Sequence, residues 1–159
     1  MSVMEIVAMT EKYAADITTW RYPEPYDCYD LAGADPGYFL DPANGFFAVV
    51  DDGALVGYRS FGADGRVPGG PYDDSALDTG GGLRPELTGL GQGLGRRAIA
   101  TGLAYGEEHF RPGAFRVTVA SFNTRARRVV ESLGFAHLGT FTATTAQGGE
   151  YDILIRPAG

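Results

Sequence analysis

The spacing of hydrophobic positions changes several times along the chain, and each change marks an element. Glu5 to Met9 reads as a short strand, and Thr10 can cap a helix carrying Tyr13, Ile17 and Trp20 at helical spacing. Pro23 and Pro25 end that helix, and the aromatic-rich stretch from Tyr22 to Tyr38 has room for a second short one. Phe46–Val50 and Leu55–Phe61 flank Asp51-Asp52-Gly53, which predicts a hairpin. Gly, Pro and Asp dominate from Ala63 to Ser75, a connection long enough to predict either a flap or a binding loop. A strand follows from Ala76 to Arg84, then a helix from Gln92 to His109 with Ile99, Leu103 and Phe110 on one face. Phe115–Ala120 alternates as a strand, and Thr124–Leu133 is a helix stopped by Gly134. Phe135–Thr144 and Tyr151–Arg156 close the chain as a hairpin. Without repeats or a linker, the pattern predicts a single domain over residues 1–159 built on a mixed α/β sheet.

Composition narrows this picture mainly by exclusion. Apolar residues make up 44% of 159 and charged ones 21%, too apolar for disorder. The longest apolar stretch is about the length of Phe46–Val50, against the ~18 residues of a spanning helix, so no membrane partner is expected. Glu5, Glu11 and Lys12 surround the first apolar segment, where a secretory leader would be basic, and Cys28 is the single cysteine. These features predict a cytoplasmic protein with no disulfide within the chain and no cysteine-based zinc site; no metal is expected.

Charge alters the reading further. The net charge of −7 argues against nucleic acid as a partner. Residues 1–80 carry 14 acidic and 4 basic side chains, whereas 81–159 carry 6 and 9, so the two halves present opposite fields. Lys12 is the only lysine and has no glycine beside it, which removes a P-loop. Any phosphate must be held by arginine or by backbone amides.

Backbone amides are available in Leu83-Arg84-Pro85-Glu86-Leu87-Thr88-Gly89-Leu90-Gly91-Gln92-Gly93-Leu94-Gly95-Arg96-Arg97, where four alternating glycines run from a strand into a helix. Glycine lets N–H groups approach a ligand closely, and the helix N-terminus adds partial positive charge. No Gly-x-Gly-x-x-Gly can be read here, which excludes the dinucleotide fingerprint. Arg96 and Arg97 sit in the first helical turn, where cations oppose the dipole unless an anion binds. Ala98, Gly102 and Gly106 form a small-residue stripe that predicts close packing of this helix on the sheet.

This segment resembles the acyl-CoA loop of the GNAT (Gcn5-related N-acetyltransferase) superfamily, Arg/Gln-x-x-Gly-x-Gly/Ala after a Val-x-Pro strand end. Two registers fit. Counted from Pro85, Thr88 takes the Arg/Gln position before Gly91 and Gly93; counted back from the helix, Leu90 takes it before Gly93 and Gly95. Downstream, Asn123, Ala126, Gly134 and Phe135 match the family's Asn-x-x-Ala-x-x-Leu-Tyr-x-x-x-Gly-Phe pattern. The tyrosine that often protonates the leaving thiolate is replaced by Val130, which leaves Tyr105 and Tyr151 as substitutes to test.

The resemblance implies a GNAT fold: one mixed, mostly antiparallel sheet flanked by helices. It also implies acetyl-CoA as co-substrate and transfer to a primary amine, on a peptide N-terminus or a small cationic metabolite, by direct attack in a ternary complex. Longer acyl groups are an alternative, as is a non-catalytic acyl-CoA sensor, and dimers are common in the family, so a homodimer is an open expectation. The cofactor residues it implies are Gly82, Leu83, Arg84, Gly89, Gly91, Gln92, Gly93, Leu94, Gly95, Arg96, Asn123 and Arg128, Asn123 serving equally as a plain helix cap. By the same analogy Asp78, on the strand before the glycine loop, is the candidate base, with Asp30 behind it. Trp20, Tyr22, Tyr26 and Tyr29 alternate with Glu24, Asp27 and Asp30, which reads either as an acceptor surface for a cation or as a core stripe with a solvated acidic face. Cys28 as a nucleophile has no histidine near it in sequence.

Overall fold

The computed structural model describes residues 2–31 and 33–159. Strands β1 (Met4–Ala8), β2 (Phe46–Asp51), β3 (Ala54–Phe61), β4 (Leu77–Leu83), β5 (Ala114–Ala120), β6 (Ala136–Thr142) and β7 (Glu150–Pro157) form one sheet in the order β1-β2-β3-β4-β5-β7-β6. Only β4 and β5 run parallel, and the other neighbours are antiparallel. Helices α1 (Glu11–Ile17), α2 (Pro36–Leu40), α3 (Leu94–Phe110) and α4 (Thr124–Ser132) flank it. The mixed sheet is thus the one the pattern predicts, and its mostly antiparallel pairing is the one the family resemblance implies.

Local chemistry accounts for the boundaries. Thr10 accepts the Tyr13 N–H and starts α1, while Asp35 accepts the Gly37 N–H and starts α2 ahead of Pro36 at its first turn. α1 ends at Ile17, earlier than expected, and Trp20 lies beyond it with its indole Nε1 donating to Asp16. The second short helix falls at Pro36–Leu40; Tyr26–Tyr29 form only a 3₁₀ turn.

Two cores share the sheet. Ala14, Ile17, Trp20, Phe39, Phe46 and Tyr58 pack under α1 and α2, and Leu103, Phe115, Val119, Val130, Phe135 and Leu154 pack under α3 and α4. The small-residue stripe does bring α3 close. A Cβ on Gly106 would lie 2.9 Å from the Phe115 ring and 3.0 Å from that of Phe61.

The long 63–76 connection is tied down along its length. Arg66 donates to Asp78, the Tyr72 and Thr118 hydroxyls bond at 2.7 Å, and Thr144 N–H donates to Pro68 C=O. Among the described residues no helix is long and apolar enough to cross a membrane.

Candidate active site

Strand divergence creates the site. β4 pairs with β5 only at Leu77–Phe115 and Asp78–Arg116, whereas β3 follows β4 as far as Leu83 and β7 follows β5 as far as Ala120. The upper halves of β4 and β5 therefore face each other without a ladder. Arg84 N–H and Asp78 C=O both bond toward the β3 side, so strand alternation turns the backbone groups of Gly81 and Leu83 into the gap. Ser121 N–H bonds toward β7, which turns Thr118 and Ala120 into it from the other side. Buried backbone groups need partners, so this gap is built to receive an extended chain.

Two adjoining lobes occupy the gap, of about 340 and 200 Å³. The larger is lined by Gly89, Gly91, Gln92, Gly93, Leu94, Gly95 and Arg96, and it shares Gly82, Leu83, Thr88 and Asn123 with the smaller. Gly89, Gly91 and Gly93 have φ of 70°, 71° and 70°, so the loop alternates negative and positive φ and curls its N–H groups inward. Gly93 is the N-cap of α3 and offers no side chain, leaving the first-turn N–H groups free for an anion. With the helix starting at Leu94 and Ala98 buried against Val49 and Val56, the geometry fits the register that uses Gly93 and Gly95.

Tyr22, Tyr26 and Tyr29 line the smaller lobe. Tyr22 Oη donates to Leu83 C=O at 2.7 Å, and burial pushes its phenol up, with Tyr58, Asp30 and Glu86 adding to the shift. Tyr29 Oη accepts from Ala120 N–H at 3.3 Å and from Asn123 Nδ2 at 3.2 Å, while Asn123 Oδ1 caps α4 by accepting the Ala126 N–H. Burial also raises Tyr29, against the lowering effect of those two bonds. The Tyr29 proton finds no acceptor among the described residues and stays available to the lobe. Val130 forms part of the same wall.

Several expected residues lie elsewhere, which corrects their assignment. Asp78 is 2% exposed, four residues below Gly82 at the end where β4 and β5 still pair, and it lines neither lobe. Arg116 Nε and Nη2 donate to its two oxygens at 2.7 and 2.8 Å, and Arg66 Nε donates at 2.8 Å. With both oxygens engaged by arginines and the side chain shut off from both lobes, Asp78 is placed as a structural counter-ion. Asp30 Oδ1 accepts the Tyr22 N–H and braces the 22–30 segment, outside both lobes. Trp20 is a core residue at 5% exposure. Arg84 leaves the cleft to pair with Asp16 at 2.7 Å and to stack on Trp20. Arg128 is exposed and lines neither lobe; Arg125, one helical turn earlier, lines both and stacks on Tyr26 with 4.8 Å from Cζ to the ring centroid. Tyr105 stacks on His109 at the far end of α3, and Tyr151 stacks on Phe141, so neither reaches the gap.

Thr88, which one register puts at the Arg/Gln position, lines both lobes, and so does Arg59, which was not expected to. Arg59 was legible as the one charged residue in the apolar run Leu55–Phe61. No Asp or Glu among the described residues lines either lobe, so the acidity of the N-terminal half does not extend into the cleft.

A family model for the acetyltransferase (GNAT) family matches residues 8–135. The chain belongs to the acetyltransferase (GNAT) family. No curated protein sequence matches it. Solved structures share the fold at low identity. A GNAT-family acetyltransferase from Bacillus anthracis is 16% identical with a TM-score of 0.75, covering 99% of both chains. The aminoglycoside acetyltransferase AAC(6')-Ib in complex with coenzyme A and kanamycin is 18% identical with a TM-score of 0.74, covering 98% of this chain and 95% of its own. A spermidine N-acetyltransferase chimera from Vibrio cholerae is 17% identical with a TM-score of 0.72, covering 98% and 95%.

Acetyl-CoA is the co-substrate of GNAT enzymes, and the residues present fit it. The αL glycines and uncapped α3 N-terminus suit the pyrophosphate, the unpaired edges at Gly81 and Thr118 suit the amides of the pantetheine arm, and Arg96 and Arg125 supply cations at the rim.

Proposed function

We propose that this GNAT acetyltransferase moves the acetyl group of acetyl-CoA to a primary amine, on a peptide N-terminus or a small metabolite, by direct attack in a ternary complex. The parting of β4 from β5 beyond Asp78 carries the reading, because it exposes two backbone edges beside a phosphate-ready helix terminus. The aminoglycoside and spermidine acetyltransferases that share the fold act on amines, which favours the same acceptor class here.

Each group in the cleft has a task in this reading. Gly81 and Thr118 hold the thioester arm extended between the strands. Leu83 N–H, turned into the gap, polarises the thioester carbonyl. Tyr29, its oxygen fixed by two donors, gives its proton to the departing thiolate in place of the tyrosine that Val130 replaces. The tyrosine rings of the smaller lobe receive the acceptor. With no carboxylate lining the lobes, the acceptor reacts as the free amine and its surplus proton leaves to water. Turnover at low acceptor concentration therefore rises with pH in step with the unprotonated fraction of that acceptor.

Calorimetry with CoA, together with a thiol-release assay using acetyl-CoA and a panel of amines and peptides, tests the reading. CoA binding and thiol release with at least one amine are expected. Binding without turnover on any acceptor would leave an acyl-CoA sensor, and absence of CoA binding would defeat both.

A further inference from the structure

Arg59 is buried where a cation has no counter-ion. It is 6% exposed, and its only hydrogen bond among the described residues is from Nη2 to Thr79 Oγ1 at 3.3 Å. Nε is buried without any partner, and no carboxylate pairs with the guanidinium among the described residues. Burial lowers its pKa to about 10, the nearby Tyr58 phenol opposing the shift.

The surroundings are cut to fit this side chain. A Cβ on Gly81 would lie 2.8 Å from Arg59 Nη1, and one on Gly102 would lie 3.2 Å from its Cγ and Nε. A glycine on the strand and another on α3 thus make room for an arginine that gains no ion pair within the fold. An unpaired buried guanidinium is costly, and filling the cleft would remove the remaining water around it. An anion brought in by a substrate would reverse that cost.

Arg59 lines both lobes and packs against Gly102, about two turns along α3 from the glycine loop where the phosphates of the donor fit. We infer that Arg59 binds a carboxylate carried by one of the two substrates: either the free carboxylate of an ω-carboxyacyl thioester or the α-carboxylate of an amino-acid acceptor. The guanidinium fork matches carboxylate geometry, and the absence of any lining Asp or Glu removes competition for it. This inference rests on the acyltransfer reading and names the substrate class within it.

Matched pairs of substrates test it in two arms. The first compares succinyl-CoA with butyryl-CoA, in direct binding and in thiol release. The second compares amino acids with their carboxamides, using acetyl-CoA. Wild type should prefer the carboxylate in one arm by about 30-fold or more in kcat/KM, or in affinity for the donor arm. Arg59→Gln should collapse that ratio toward unity while lowering the neutral member much less, and the arm that collapses identifies which substrate carries the group. Arg59→Lys, which keeps the charge, should retain part of the preference. If Arg59→Gln does not fold, the wild-type ratios still decide. A wild type that discriminates less than threefold in both arms overturns the inference, as does an Arg59→Gln loss equal for charged and neutral members, which would make Arg59 a ligand of CoA itself. Turnover without carboxylate preference sinks this inference alone, whereas absence of CoA binding sinks the acyltransfer reading beneath it.

Discussion

Two buried arginines bracket strand β4, and they behave as opposites. At the closed end, where β4 still pairs with β5, Arg116 delivers two short hydrogen bonds to Asp78, and Arg66 adds a third. At the open end, on the other face, Arg59 has one long bond to a hydroxyl and an orphaned Nε. Both residues are almost wholly removed from water. The difference lies in what each end must do. The closed end locks the only parallel pairing of the sheet and so fixes the angle at which the strands part. The open end must stay incomplete until a substrate arrives. Charge satisfied within the fold stabilises; charge left unsatisfied at the divergence recognises.

Breaking the closed end has the largest expected effect. Asp78→Asn leaves two guanidinium groups facing a neutral amide, one of them buried, and removal of one partner of a buried pair costs about 3–5 kcal/mol. The thermal midpoint should fall by about 10 °C or more on the usual scaling for a chain of this size. Folded Asp78→Asn should retain the wild-type pH profile of kcat. A new pH dependence in the folded variant would return Asp78 to the chemistry.

At the open end Tyr29→Phe removes a hydroxyl, its proton and the acceptor for Ala120 N–H and Asn123 Nδ2. A fall in kcat of about 100-fold is expected, at the lower end for a general acid because a thiolate leaves readily. CoA affinity should change much less, and single-turnover acetyl transfer should slow by the same factor as kcat. An unchanged kcat with weaker CoA binding would make Tyr29 a brace for Asn123 and nothing more.

The contrast between the two ends also governs what could be read from sequence. The glycine loop and the Asn123 turn were legible because backbone chemistry forces particular residues: only glycine takes the repeated left-handed positions at 89, 91 and 93 cheaply, and Asn123 caps α4 while donating to Tyr29. Strand alternation puts Asp78, four residues before Gly82, on the same face as that glycine. It could not reveal that Arg116, 38 residues away, would claim both carboxylate oxygens. Arg128 was mistaken for Arg125 because a three-residue difference on a short helix decides which guanidinium reaches the cleft, and that depends on how α4 is rotated. The Tyr29 hydroxyl meets partners 91 and 94 residues distant, a juxtaposition no local pattern encodes. Trp20 shares the aromatic and acidic alternation of Tyr22, Tyr26 and Tyr29, but it packs with Ile17 and Tyr58 in the core, a partnership that alternation does not encode.

A smaller perturbation sharpens the comparison without touching a charge. Gly102→Ala gains about 1 kcal/mol of helix propensity, but its Cβ would lie 3.2 Å from Arg59 Cγ and Nε, closer than neighbours settle comfortably. Arg59 must shift by a few tenths of an ångström. The thermal midpoint should stay within about 4 °C of wild type, while the preference for a carboxylate substrate falls. Stability and discrimination that moved together would mean that Gly102 serves helix packing alone.

The smallest effect belongs to the rim of the open end, where Arg84 turns away from the cleft and binds Asp16 across α1. Hydrogen bonds from Arg84 hold the Asp16 carboxyl below its ordinary value of 3.8; burial opposes this, and the Trp20 indole and the charge of Arg84 reinforce it. The folded state therefore binds the Asp16 proton less readily than the unfolded chain does. Its stabilisation is complete above the unfolded value and is lost as pH falls through the lower folded one. Asp16 and Arg84 are 38% and 27% exposed, so solvent screens the pair and Asp16→Asn should cost no more than about 1 kcal/mol at neutral pH. Urea titrations from pH 7 down to pH 2 should show the wild-type advantage over Asp16→Asn constant above about pH 5 and shrinking below pH 4. An advantage that persisted unchanged at pH 2 would assign it to the Trp20–Asp16 hydrogen bond and the packing around it. The ion pair that draws Arg84 out of the cleft would then contribute nothing to folding, and Arg84 would be free to swing toward a bound phosphate at little cost.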